Sequence, residues 1–386
     1  IREIESSFLA SIARFPVTVL LGVRQIGKTT LSKSIKDKLS RPYIYLDLEI
    51  PADLQKITVD SFFYLKQQQE KIIIIDEAQR LPELFPIIRV LVDQHNVAGR
   101  FILLDSAGKE ILKNSSESLA GRVNYLEMQP FFLSELPTDS LIKHMLRGGF
   151  PKAYLSRDGY EVKQWFDGFT SSYIERDLPM LGLNANPIIV RRLLSMLANV
   201  SGGIMNYSNI ANSLGISQPT VKHYIDFLEY AYIVRRLTPY HSNLSKRLTK
   251  SPKFYFRDSG LLHYFLGIFD EEAMLSNPNL GNMFEGYVLQ QIIPNLSYQT
   301  VPHFYRTNNG AEIDLLLVQA RGTKLAIEVK FSTAPKLSRG NYIAIEDAGS
   351  PDFFTVIPSG DTYQVSEKGW IVQASDLPTM LKKYDL

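Results

Sequence analysis

The sequence predicts an α/β fold led by a parallel sheet with helices on both faces, followed by further domains. Continuous apolar and β-branched runs such as "VTVLLG" and "KIIIID" alternate with stretches of helical spacing through the front third, the pattern of strands buried on both faces. The chain has 386 residues, too many for one ordinary core, so roughly two to four domains are expected. Its 45% apolar and 21% charged residues are those of an ordinary globular protein.

The elements follow in order. "VTVLLG" reads as the first strand and "KTTLSKSIKDKL" as a helix. "YIYLDL" is the second strand, with helical spacing from Ala52 to about Gln68. "KIIIID" is the third strand, then "LFPIIRVLVDQHN" is helical. "RFILLD" is the fourth strand, "KEILKNSSESLAG" is helical and "RVNYLEM" is the fifth strand. Phe131 to about Gly182 reads as mostly helical.

Composition excludes some chemistry. The chain has no cysteine, which removes disulfides, thiolate zinc sites and cysteine nucleophiles. Its net charge of +2 requires any nucleic-acid surface to be a local patch. No apolar stretch approaches the ~20 residues of a membrane span, and no signal peptide opens the chain. A cytoplasmic protein without membrane association is expected.

The first strand runs into "GVRQIGKTT", which satisfies GxxxxGK(S/T) between a strand and a helix. Backbone N–H groups of such a loop cradle phosphates at a helix N-terminus. The expected nucleotide contacts are Gly22, Arg24, Gln25, Ile26, Gly27, Lys28, Thr29 and Thr30. Lys28 reaches the β- and γ-phosphates and Thr29 offers its hydroxyl to Mg²⁺. "IIIIDEAQR" supplies the partner acids: Asp76 to hold Mg²⁺ through water and Glu77 to orient or deprotonate the attacking water.

The motifs "GVRQIGKTTL", "YLDLE", "IDEAQ", "ESLAGRV" and "LRGGFP", in that order between residues 22 and 151, resemble a prokaryotic family of AAA-type ATPases, AAA_14 fused to a DUF4143 C-terminal domain, and the resemblance covers nearly the whole chain. The resemblance implies ATP rather than GTP and a 5-1-4-3-2 sheet. It implies a polar γ-phosphate sensor after the fourth strand, where this chain reads Asp105, Ser106 and Ala107. Ser106 is the candidate. Arg122 falls where AAA ATPases carry an arginine finger acting between copies of a homo-oligomer; the alternatives are an ion pair with Glu127 or a helix cap. Arg147 of "LRGGFP" is a further phosphate candidate.

Residues 187–258 change character. "YSNIANSLGISQPTVKHYIDFLEYAYIV" reads as helix, turn and helix, with Ser208 and Ser217 as N-caps and Gly215 at the bend. Gln218, Thr220, Lys222 and His223 face outward on the second helix, as on a winged helix that enters a DNA groove. The stretch 233–257 carries Arg235, Arg236, Lys246, Arg247, Lys250, Lys253 and Arg257 with no acid. It suits DNA phosphates, or the acidic face of a neighbouring domain.

In the back third, "GNMFEGYVLQQIIP" has helical spacing. "HFYRTNNGAEIDLLLVQ" and "KLAIEVKFS" read as strands joined by "ARGT", and "YIAIED", "DFFTVIP" and "GWIVQASDL" as further strands. A helix with Glu285, a strand with Asp314 and a strand with Glu328 and Lys330 resemble the PD-(D/E)xK nuclease core of the restriction-endonuclease-like fold. Glu285, Asp314 and Glu328 are the expected metal ligands, helped by the Val329 carbonyl, and Lys330 positions or activates water. The other reading is a solvated hairpin. The expected domains are a P-loop ATPase core at 1–130, a helical lid at 131–186, a winged helix at 187–258 and a nuclease-like domain at 259–386. ATP-dependent binding or processing of DNA is one expectation; the other is an ATP-controlled switch with an inactive nuclease fold.

Overall fold

The computed structural model describes residues 2–106, 119–241 and 251–386. The chain forms two compact units, Ile1–Phe131 with Asp177–Asn184 and Asp226–Ile233, and Phe132–Arg176 with Ala185–Ile225 and Val234–Leu386.

The first unit holds β1 (Val17–Leu21), β2 (Tyr43–Asp47), β3 (Ile72–Asp76), β4 (Phe101–Leu104) and β5 (Val123–Glu127) in one sheet of order β2-β3-β4-β1-β5. Every pairing is parallel, and the order is the one the resemblance implied. β1, β3 and β4 are buried at every residue, which is why their sequences are unbroken apolar runs. Ile73, Ile75, Leu46 and Phe101 join Phe85 and Ile88 of the helix Leu84–Gln94 in one core. The stretch after Ala52 is two helices, Pro51–Thr58 and Ser61–Gln67, because Asp60 caps the second by accepting from the Phe63 N–H. The helix read in "KEILKNSSESLAG" lies mostly outside the described residues.

In the second unit, "LRGGFP" explains itself through packing. Gly148 sits at φ +74°, and a Cβ there would lie 2.2 Å from Asp258 Oδ1; a Cβ on Gly260 would lie 2.1 Å from the Arg147 carbonyl. These glycines let the helices Leu141–Arg147 and Ser259–Leu266 approach. Asp258 caps the second helix, accepting from Leu261 N at 2.8 Å and from Gly149 N at 2.7 Å. Arg147 donates to the carbonyls of Ser156 and Arg157, as a backbone clamp.

Burial pushes the Asp258 carboxyl up to about 6 from 3.8, against the backbone N–H groups it receives. A raised folded pKa favours the protonated form. The stability it contributes is complete below the unfolded value and is lost as pH rises through about 6. The protein is expected to lose roughly 1 kcal/mol from this group between pH 5 and pH 7, and Asp258→Asn is expected to flatten that slope in denaturant melts. An unchanged slope would exclude it.

The helices Pro187–Asn199, Tyr207–Leu214 and Gln218–Tyr230 precede an antiparallel ribbon of β6 (Val234–Leu237) and β7 (Lys253–Phe256). Ser217 accepts from Thr220 N as the expected N-cap. Ser208 does not cap: Asn206 takes that role by accepting from Asn209 N, and Ser208 lies inside the helix. Gly215, at φ +66°, ends the helix.

The C-terminal sheet has the order β12-β13-β11-β10-β9-β8, with β8 Thr300–Arg306, β9 Glu312–Gln319, β10 Lys324–Val329, β11 Asp352–Ile357, β12 Tyr363–Ser366 and β13 Gly369–Gln373. β8, β9 and β10 are antiparallel neighbours, while β10, β11 and β13 run parallel. "HFYRTNNGAEIDLLLVQ" is therefore two strands, broken at Gly310 with φ +85°. "YIAIED" is not a strand. It lies in the helix Arg339–Ala348, fixed by a capping box of Ser338 with Asn341 and by Gly349 in the left-handed region. Asn341, Ala344 and Ala348 form its buried stripe, a helical spacing that overrides the local alternation.

Candidate functional site: a phosphate loop and a second acidic cluster

β1 sits between β4 and β5 and delivers the loop at its C-terminal end. Gly22 has φ +142°, and a Cβ there would lie 2.4 Å from the Met128 carbonyl. Gly27 is left-handed at φ +98° and opens the helix Lys28–Ser34. Gln25 holds φ +67° without being glycine, the kind of strain that concentrates at functional loops. Ile26 is buried beneath the loop and Thr30 is exposed.

Lys28 is buried, and its Nζ donates to the carbonyls of Gly22 at 2.6 Å and Val23 at 3.1 Å. Burial lowers its pKa, opposed by Glu77, Asp105 and Asp76. Thr29 Oγ1 donates to Asp76 Oδ2 at 2.6 Å. Tyr45 donates to the same oxygen, and Glu77 N donates to Asp76 Oδ1 at 3.0 Å. Glu77 sits at φ +55°, with Oε2 held by Gln79 Nε2 and, at 3.3 Å, by Ser106 Oγ. Gln79 also donates to Ser106 Oγ at 2.7 Å. Arg24 leaves the loop sideways to Asp177 Oδ1 at 2.5 Å and Glu49 Oε1 at 2.6 Å. Arg24, Glu49, Glu77, Gln79, Ser106 and Asp177 line a recess of about 250 Å³.

The predicted loop, Asp76, Glu77 and Ser106 thus converge. Tyr45, Glu49, Gln79 and Asp177 were not assigned from sequence. Tyr45 and Glu49 lie in "YLDLE" and Gln79 ends "IDEAQ", so these three carried a readable signal and Asp177 did not. Arg122 is elsewhere. Its carbonyl accepts from Val17 N at the start of β1, so it lies at the opposite end of the sheet, about 17 Å of strand away. Its side chain pairs with Asp93 at 2.5 Å rather than with Glu127. Ala107 is outside the described residues.

The residues fit Mg²⁺ at the loop. The Thr29 hydroxyl and Asp76 carboxylate bring hard oxygen donors together, and such sites are completed by phosphate and water rather than by a protein cage. Among the described residues, no group of three or more His, Cys, Asp or Glu could hold a metal by itself.

The second cluster lies in the other unit. Glu285, on the helix Leu280–Ile292, is buried and faces Asp314 on β9. Between them stands Lys253 of β7, 2% exposed. Its Nζ is 2.8 Å from Glu285 Oε1, 2.7 Å from Glu312 Oε1 and 3.6 Å from Asp314 Oδ1. Tyr255 donates to the same oxygen of Glu285. Asp314 Oδ2 accepts from Val329 N at 2.9 Å, so Val329 offers its N–H here. Lys330 reaches back to Glu328 Oε1 at 2.6 Å. Glu328 Oε2 is buried without a hydrogen-bond partner. Burial, reinforced by Asp314, pushes Glu285 up to about 7 and holds Glu328 above the usual range.

As arranged, Glu285 and Asp314 close on the Lys253 ammonium rather than on an open ion site, while Glu328 pairs with Lys330. Of the basic stretch, Lys253 and Arg257 are buried and present nothing to a DNA phosphate. Lys253 instead makes the alternative contact, with an acidic face. Lys246, Arg247 and Lys250 lie outside the described residues. No helix among the described residues is long and apolar enough to cross a membrane.

A parallel sheet of this order, with a phosphate loop after β1 and an acid pair at the end of β3, defines a P-loop ATPase fold of the AAA type. Residues 14–136 match the family described as an AAA domain, 138–272 a domain of unknown function (DUF8612), and 280–377 a domain of unknown function (DUF4143). An uncharacterized protein of Mycobacterium tuberculosis is 36% identical over 378 residues, 98% of this chain and 84% of its own length. One from Haemophilus influenzae is 24% identical over 284 residues, 65% of this chain and 69% of its own. Among solved structures, the Walker-type ATPase of Pyrococcus abyssi is similar over 69% of this chain and 95% of its own, at 17% identity and a TM-score of 0.44. The chain belongs to the family of AAA-type P-loop ATPases that carry a C-terminal DUF4143 domain.

Proposed function

We propose that the protein hydrolyses ATP with Mg²⁺ and uses the nucleotide as a switch. The carrying observation is the contact of Thr29 with Asp76 at 2.6 Å, beside Lys28 and Glu77. Mg²⁺, when bound, neutralises phosphate charge. Lys28 exchanges its two loop carbonyls for phosphate oxygens. Glu77, oriented by Gln79 and Ser106, handles the attacking water. Arg24 gives up Asp177 and Glu49 to anionic phosphate, so nucleotide occupancy is felt at residue 177, where the chain passes between units.

Lys28→Ala is expected to weaken ATP binding at least 100-fold by calorimetry, since it removes the lysine that reaches the β- and γ-phosphates. Unchanged affinity would make the loop a structural turn.

A second reading is DNA binding through the helix Gln218–Tyr230 and its ribbon, arranged as in a winged helix. The exposed Gln218, Lys222 and His223 support it. Duplex affinity is then expected to fall steeply with salt, by about one unit of log–log slope per phosphate contact. Lys222→Glu is expected to reduce that slope. Binding that ignores salt would point to a protein partner.

A further inference from the structure

Three carboxylates of the C-terminal sheet and its helix converge on one ammonium that belongs to the preceding ribbon. Lys253 and Tyr255 are two apart on β7 and therefore share a face; both reach Glu285 Oε1. Glu312 and Asp314 are likewise two apart on β9, and both reach Lys253. Glu312 lies outside the nuclease pattern, yet it makes the shortest of the three contacts. The Lys253 side chain is 3% exposed, so an incoming ion meets no solvated lysine to displace.

The charge count agrees. Glu285, Glu312, Asp314 and Glu328 carry four formal negative charges. Lys253, Lys330 and Arg306, the last 3.4 Å from Glu312, return three. With all four acids ionised, a divalent ion added to this set would leave it positive by one, and with Lys253 absent the same ion would leave it neutral.

We propose that Lys253 is the resident cation of the Glu285–Glu312–Asp314 cluster, filling the place a divalent ion would take, so that the cluster is an ion-paired joint between the ribbon and the C-terminal sheet and not a nuclease site. The inference is independent of the nucleotide reading.

Mn²⁺ titrated into the nucleotide-free protein, followed by thermal melting and by the loss of the free-ion spin-resonance signal, tests it. The unsubstituted protein and Asp314→Asn are expected to respond alike. Lys253→Met is expected to gain a Mn²⁺-dependent rise of several degrees, lost again in Lys253→Met/Asp314→Asn. A Mn²⁺ response of the unsubstituted protein that disappears in Asp314→Asn overturns the proposal. So does Mn²⁺-dependent nicking of supercoiled DNA that disappears in Glu328→Gln, and so does a folded Lys253→Met that gains no response. Should Lys253→Met not fold, the unsubstituted protein against Asp314→Asn decides alone: equal responses support the joint, and a response lost in Asp314→Asn refutes it.

Discussion

Glu77→Gln is expected to bind ATP as the unsubstituted protein does and to hydrolyse it about 10²–10⁴-fold more slowly, the range for loss of a positioned general base. The substitution isolates the chemistry because the amide is isosteric. Gln79 and Ser106 can still hold the retained carbonyl oxygen where they now hold Oε2. Asp76 and Thr29 keep their contact, so the proposed Mg²⁺ ligands are untouched. What disappears is the group able to accept a proton from water. Phosphate release under single-turnover conditions, paired with calorimetric affinity, separates the two effects. If turnover survives within a few-fold, the water is handled elsewhere, and Asp105 becomes the acid to test.

Lys253→Met is expected to destabilise the second unit by about 3–5 kcal/mol, the usual cost of stranding buried charge by removing its partner. That is a large share of the ~5–15 kcal/mol by which a domain is folded. Met keeps most of the aliphatic volume, so lost packing contributes little by comparison. The loss should shrink when Glu285→Gln and Glu312→Gln are added, because the stranded charges are then removed as well. Both tryptophans, Trp165 and Trp370, belong to this unit, so their fluorescence in a urea titration reports the right transition. A shift under about 1 kcal/mol, well below the usual cost of a broken buried pair, would show that the acids share protons and do not need the lysine.

The first unit was largely legible because its signals are local. β-branched runs such as Ile72–Ile75 announce a strand buried on both faces, and the loop and acid-pair spacings are set by contiguous backbone. What escaped depended on partners distant in sequence. Glu49 and Asp177 meet Arg24 across 25 and 153 residues; "YLDLE" marks Glu49 as part of a motif without showing its partner, and nothing near Asp177 marks it. "YIAIED" alternates like a strand, while the residues that make it helical, Ser338 and Gly349, flank the run. Ser208 lost its role to Asn206, two places earlier, since either can cap and the buried stripe decides the start. Lys253 looked like one more cation in a basic run. Its own strand, "KFYF", held the hint: a lysine within an apolar strand must find a counter-charge.

Lys253 also bears on how the chain can be divided. A fragment begun at residue 259, or exchanged along the DUF4143 match at 280–377, would carry Glu285, Glu312 and Asp314 and leave their cation behind. The two matched segments are therefore one inheritable unit electrically, even though they are separate in sequence. Shuffling either between relatives should succeed only when the lysine and its three acids travel together.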